Sequence, residues 1–190
     1  MAGRASYLAR LRREEDGGPT IEFLVVAMAL FGLLFFMLES GLFMVRSVML
    51  ERGLDIAVRE VRLGRIGVDD ETALKRSVCD GAFLIGDCVA SINIEMHPVA
   101  GNDPSSGVGA FLKDVDALPA AQCRDANNAP PAPNVFNAGG PHSIVLVRAC
   151  LLVDPLFPGT GLGAGLIERS DRDGSVYALV KTTAFMREPR

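Results

Sequence analysis

The 190-residue chain has no tryptophan, and tyrosine and histidine occur only twice each. So few imidazoles leave little material for acid–base or metal chemistry near neutral pH. His97 and His142 have no cysteine or carboxylate at ligand spacing, and no Cys-x-x-Cys or His-Glu-x-x-His occurs. Both read as solvated polar residues. Basic excess is also missing: the net charge is −4, which excludes the usual electrostatic signature of nucleic-acid binding. The glycine-rich stretch 159–165 lacks the Gly-Lys-Ser/Thr ending of a phosphate loop and reads as a flexible connection. No Ser/His/Asp set has local support. These absences point away from an enzyme, and neither a cofactor nor a metal site is expected.

What the chain does have is one long apolar run. From Phe23 to Leu38 no residue carries a charge; Glu39-Ser40-Gly41 interrupts, and Leu42-Phe43-Met44-Val45 resumes. As helix, Phe23 to Val45 spans roughly 34 Å, enough to cross a hydrocarbon core of about 30 Å. Before it lies a polar leader of mixed charge, residues 1–17. Gly17-Gly18-Pro19 breaks the chain, and proline is tolerated in a first helical turn. The helix is therefore expected to start near Pro19 or Thr20, with Glu22 in its first turn, where a carboxylate suits the macrodipole. A cleavable secretory signal is the rival reading. It fits poorly, because the small residues Ala27-Met28-Ala29 lie inside the apolar run.

Helical spacing continues past the run. Leu50, Leu54, Ala57 or Val58, and Val61 recur on one face, and Arg46, Arg52, Asp55, Arg59 and Arg62 fill the others. The pattern predicts one helix to about residue 63, amphipathic in its outer half. Gly53 should weaken it by about 1 kcal/mol, and Gly64 should end it. Arg4, Arg10, Arg12 and Arg13 before the span favour a cytoplasmic N-terminus, although Arg46, Arg52 and Arg59 follow it. A long following domain translocates largely regardless of charge. Glu39 at mid-span would cost about 2.5–3.5 kcal/mol. It is read instead as marking the outer interface.

The remainder, residues 65–190, reads as one small domain. Asp69 or Asp70 can cap a second helix whose buried stripe is Leu74, Val78, and Phe83 or Ala82. Strand patterns follow at 89–99, 143–153 and 175–186, the middle one richest in apolar residues and so central. In the first, Ile92, Ile94 and Met96 take one face and Asn93, Glu95 and His97 the other. Residues 100–141 are dense in glycine, proline and asparagine, with one short helix expected around Phe111, Leu112, Val115 and Leu118. The expected class is α+β: a long N-terminal helix, a short second helix and about three antiparallel strands. All four cysteines lie beyond the apolar run, which fits two disulfides in an oxidising compartment. Cys79 and Cys88 flank a short loop, and Cys123 with Cys150 would tie the long connection to the central strand.

Gly17, then Gly18-Pro19-Thr20-Ile21-Glu22 and a long apolar helix, resembles the class III signal of type IV-like prepilins. More narrowly, Gly17, Ile21-Glu22-Phe23, Glu39-x-Gly41 and a helix running to Arg59 and Arg62 resemble the TadE/TadG-like pseudopilins of tight-adherence (Flp-type) pilus systems. The resemblance implies a pilin-like fold and cleavage between Gly17 and Gly18 by a prepilin peptidase. It implies subunit-assembly roles for Glu22, Phe23, Glu39 and Gly41. It further implies a structural minor pseudopilin in the bacterial inner membrane, its C-terminal domain periplasmic. Partners would be other pilins or pseudopilins, the inner-membrane pilus platform and membrane lipid. The alternative is an unprocessed single-pass protein whose extracytoplasmic domain binds a ligand or partner.

Overall fold

The computed structural model describes residues 18–99, 113–123, 135–157 and 176–188. The leader, Gly17 and the glycine-rich stretch 159–165 lie outside the described residues. The architecture is α+β, with α1 (Gly18–Arg62), α2 (Glu71–Gly81), the short α3 (Cys88–Ser91), then β1 (Asn93–Val99), β2 (Ile144–Val153) and β3 (Tyr177–Met186). The strands form one antiparallel sheet in the order β1-β2-β3, with the apolar β2 in the centre. The short α3 occupies residues expected to open the first strand, which begins only at Asn93 and not at 89. A four-residue helix carries too little periodicity to be seen.

Helix α1 is continuous over 45 residues, about 67 Å at the usual rise. The described residues are helical from Gly18 onward, beside the start expected near Pro19 or Thr20, and Glu22 lies four residues further on. Its end is a Schellman motif. Gly64 takes a φ of 73°, its N–H donates to Val61 O, and Arg65 N–H donates back to Glu60 O. The two halves of the helix differ sharply. From Ile21 to Leu38 the large apolar side chains are exposed, whereas Leu50, Leu54, Ala57, Val58 and Val61 are buried in the domain core.

Asp70 caps α2 by accepting a hydrogen bond from Ala73 N–H at 2.9 Å. Leu74 and Val78 then face α1. Ala82 is the residue that completes this stripe; Phe83 points outward and is 72% exposed. Where the two helices cross, Gly53 and Gly81 bring the backbones together. A Cβ on Gly53 would lie 2.3 Å from Val78 O. The glycine that looks like a flaw in the helical pattern is thus what the crossing requires.

One face of the sheet closes the core with Ile94, Met96, Val145, Val147, Ala149, Leu151, Leu179 and Phe185. Strand β3 runs alongside α1. The Tyr177 ring meets Phe43 edge-on at 5.2 Å, and four strand residues later Lys181 Nζ meets Glu51 at 2.9 Å. Four strand residues and eight helical residues both advance about 12–13 Å, so the two elements climb together. The outer edge of β1 is covered by residues 135–137: Met96 N–H donates to Val135 O, and Asn137 N–H to Met96 O. Residues 113–116 form a helical turn inside the expected helix; Phe111 and Leu112 lie outside the described residues.

Candidate functional site

Three places carry the residues that the sequence singles out. The first is the free start of α1. Gly18, Glu22 and Phe23 are exposed, Phe23 by 70%, and no other described element packs on this part of the helix. Gly41 is also on an open face, with no atom near its would-be Cβ.

The second is the junction between the apolar helix and the domain. Glu39 is only 3% exposed, although the residues just before it are bare. Its carboxylate accepts from Leu156 N–H at 3.1 and 2.9 Å and from Phe157 N–H at 3.1 Å. A turn of backbone donors thus solvates the charge at the end of the uncharged run, where water is scarce. The sequence does not show this: the carboxylate at the end of the run is held within its own chain. The same face of α1 continues upward with Phe43 on Tyr177 and then Arg46. Arg46 donates to Tyr177 Oη at 2.7 Å and to Asp154 O at 3.1 Å. Burial pushes the Tyr177 hydroxyl above its ordinary pKa, against the opposing pull of Arg46. Below Glu39, the Phe157 ring packs on Phe35 at 4.7 Å. Glu39, Phe43 and Arg46 therefore clamp the end of β2, residues 154–157 and the start of β3 onto one helical stripe.

The third is the far face of the sheet. Glu95 and Arg148 are direct cross-strand partners. Arg148 donates to Glu95 through Nε at 2.9 Å and through its terminal nitrogen at 2.5 Å, and to Pro119 O at 2.8 Å. Gln122 N–H donates to the other Glu95 oxygen at 3.0 Å, and Asn93 Nδ2 donates to Gln122 O at 2.7 Å. His97 lies 3.4 Å from Glu95 and is 6% exposed. That overturns its reading as a solvated residue: it is buried beside Glu95 on the far face of the sheet. Desolvation by burial raises the Glu95 carboxyl, but Arg148 and Gln122 more than offset it, leaving Glu95 below the ordinary carboxylate range. His142 is exposed, at φ 66° in the turn before β2. The two histidines therefore occupy different surroundings and do not converge with a shared nucleophile. Among the described residues, no three of histidine, cysteine, aspartate and glutamate are grouped to hold a metal ion.

Both disulfides are closed, Cys79–Cys88 and Cys123–Cys150. The first staples the end of α2 to α3, and the second fastens residues 119–123 to β2 beside the Glu95–Arg148 pair. No protein-family model, curated protein or solved structure matches the chain.

Proposed function

We propose that this chain is a structural minor pseudopilin or assembly component of a tight-adherence (Flp-type) pilus, anchored in the inner membrane with its C-terminal domain in the periplasm. The observation that carries the reading is the division of α1. One unbroken helix has a bare apolar first half, long enough to span a bilayer, and a second half that forms the spine of an α+β domain. Such a helix serves as a membrane anchor before assembly and as a packing surface between subunits after it. Two disulfides beyond the span suit an oxidising compartment.

Cleavage between Gly17 and Gly18 would leave a free α-amine at the start of α1. Glu22, exposed one turn further on, would then neutralise the amine of a neighbouring subunit. Both charges are poorly solvated in a bundle of apolar helices, so each gains from the pairing. Phe23 and Gly41, also exposed, would line the same subunit contact.

Mass spectrometry of the membrane-extracted protein tests the reading. A mature chain beginning at Gly18 is expected. An intact Met1 would overturn processing and leave an unprocessed single-pass protein. Glu22→Ala should insert normally into the membrane yet impair filament assembly, and normal assembly in that variant would remove the charge-pair role.

A further inference from the structure

Residues 154–157 are held against α1. Asp154 O is held by Arg46, the Leu156 and Phe157 amides by Glu39, and the Phe157 ring by Phe35. From Arg46 down to Phe35 is eleven helical positions, about 16 Å along the axis. The segment therefore lies along α1 with its amides at the level of Glu39, and its contacts reach from Arg46 to Phe35 in the uncharged run. Its last two described residues show apolar side chains, Leu156, which is 54% exposed, and Phe157 on Phe35.

We infer that Leu156 and Phe157 form a wedge that enters the outer leaflet of the membrane beside α1, with phospholipid acyl chains as its partner. The inference rests on the anchor reading of α1. If the span begins near Ile21, about 30 Å of hydrocarbon ends near Glu39. Phe35 then lies about 6 Å inside that boundary, a depth at which interfacial apolar side chains seat. Backbone at the boundary itself still needs its N–H groups satisfied, because lipid offers no acceptor. Glu39 supplies this for both amides of the tip. In return, the amides solvate a carboxylate that would otherwise face the boundary bare. Arg46, about 10 Å above Glu39, falls at headgroup height and holds the upper end of the segment. Glu39 and one terminal nitrogen of Arg46 thus find their partners within the chain, and Leu156 is left facing outward.

The absence of tryptophan makes the test direct. Leu156→Trp, Phe157→Trp, Leu33→Trp and Met186→Trp each place a single indole in the full chain. The first two report the wedge; Phe157→Trp keeps an aromatic ring on Phe35. Leu33 lies in the span, and Met186 lies at the far end of β3. Each variant is reconstituted in phosphatidylcholine vesicles whose acyl chains are brominated close to the headgroups. Quenching of the Leu156 and Phe157 indoles should exceed that of Met186 severalfold, with blue-shifted emission. Quenching at the Met186 level while Leu33→Trp is quenched overturns the wedge and leaves the anchor intact. Blue-shifted emission without quenching at both wedge positions also overturns it, because protein and not lipid would then cover the tip. An unquenched Leu33→Trp overturns the anchor and the wedge together.

Discussion

Gly53 and Gly81 meet backbone to backbone where α1 crosses α2, and a Cβ on Gly81 would lie 2.6 Å from the Gly53 Cα. On the other side, a Cβ on Gly53 would press on the Val78 carbonyl oxygen, which is backbone and cannot swing aside. Alanine at Gly53 would add about 1 kcal/mol of helix propensity, but the clash forces the helices apart. Gly53→Ala should therefore destabilise the domain by about 1–3 kcal/mol net, in the range of core overpacking. Gly41→Ala is the matched control, because its Cβ enters open space. Urea midpoints read by pulse proteolysis of the detergent-solubilised chain should fall for the first variant and hold or rise for the second.

The Glu39 contact makes a separate prediction about local opening. Removing the carboxylate leaves the Leu156 and Phe157 amides without their acceptor, at a cost of about 1–3 kcal/mol for buried donors. Hydrogen exchange at those two amides should accelerate about tenfold or more in Glu39→Ala. Amides of β1 and β2 should be little changed, because the sheet does not depend on this contact. Glu39→Gln keeps one acceptor oxygen and should fall between the two. Unchanged exchange at Leu156 in Glu39→Ala would show that the clamp does not hold the segment.

How much of this could be read from the residue order follows from where each signal lies. The three strands and two longer helices were legible because their apolar periodicities match their buried faces: Leu50, Leu54 and Val61 in α1, Ile94 and Met96 in β1. Cys79 and Cys88 flank a loop that only a short bridge could close, and their pairing was legible from that. The partner of Glu39 was not, since it is main chain more than a hundred residues away and leaves no side-chain pattern. The covering of Asn93 and Glu95 was hidden for a related reason. The segment over them, residues 119–123, is held by carbonyls, one amide and a disulfide, and has no apolar repeat. Gly53 was visible as a propensity cost but not as a crossing point, because propensity reports a helix in isolation and says nothing about what crosses it.

The Glu95 carboxyl couples stability to pH. Its folded-state pKa lies below the ordinary value of 4.5, so the charged form is favoured by folding. The sign follows from proton linkage: this contribution is fully present above the unfolded-state pKa and is lost as pH falls through the lowered folded-state value. Stability should therefore drop on acidification below about pH 4, beyond what exposed carboxylates produce. Glu95→Gln should be less stable near neutrality and show a flatter acid limb. Urea midpoints across the acid range for the two proteins check this. Parallel curves would mean that the Arg148 pair contributes nothing specific to the folded state.

The two disulfides should differ in what their removal costs, and loop length sets the order. Cys79–Cys88 closes a separation of 9 residues and Cys123–Cys150 one of 27. In the chain-entropy description these correspond to about 2.6 and about 3.5 kcal/mol of restraint on the unfolded chain. Position reinforces the order. The longer bridge fastens the segment that holds Asn93 and Glu95, so its loss frees polar contacts as well as chain. The shorter bridge joins α2 to α3, and α2 keeps its packing on α1 through Leu74 and Val78 without it. The paired Cys123→Ser, Cys150→Ser variant should therefore lose more stability than Cys79→Ser, Cys88→Ser, and it alone should lose the extra acid sensitivity assigned to Glu95. Equal losses with unchanged pH profiles would separate the covering segment from the Glu95–Arg148 pair.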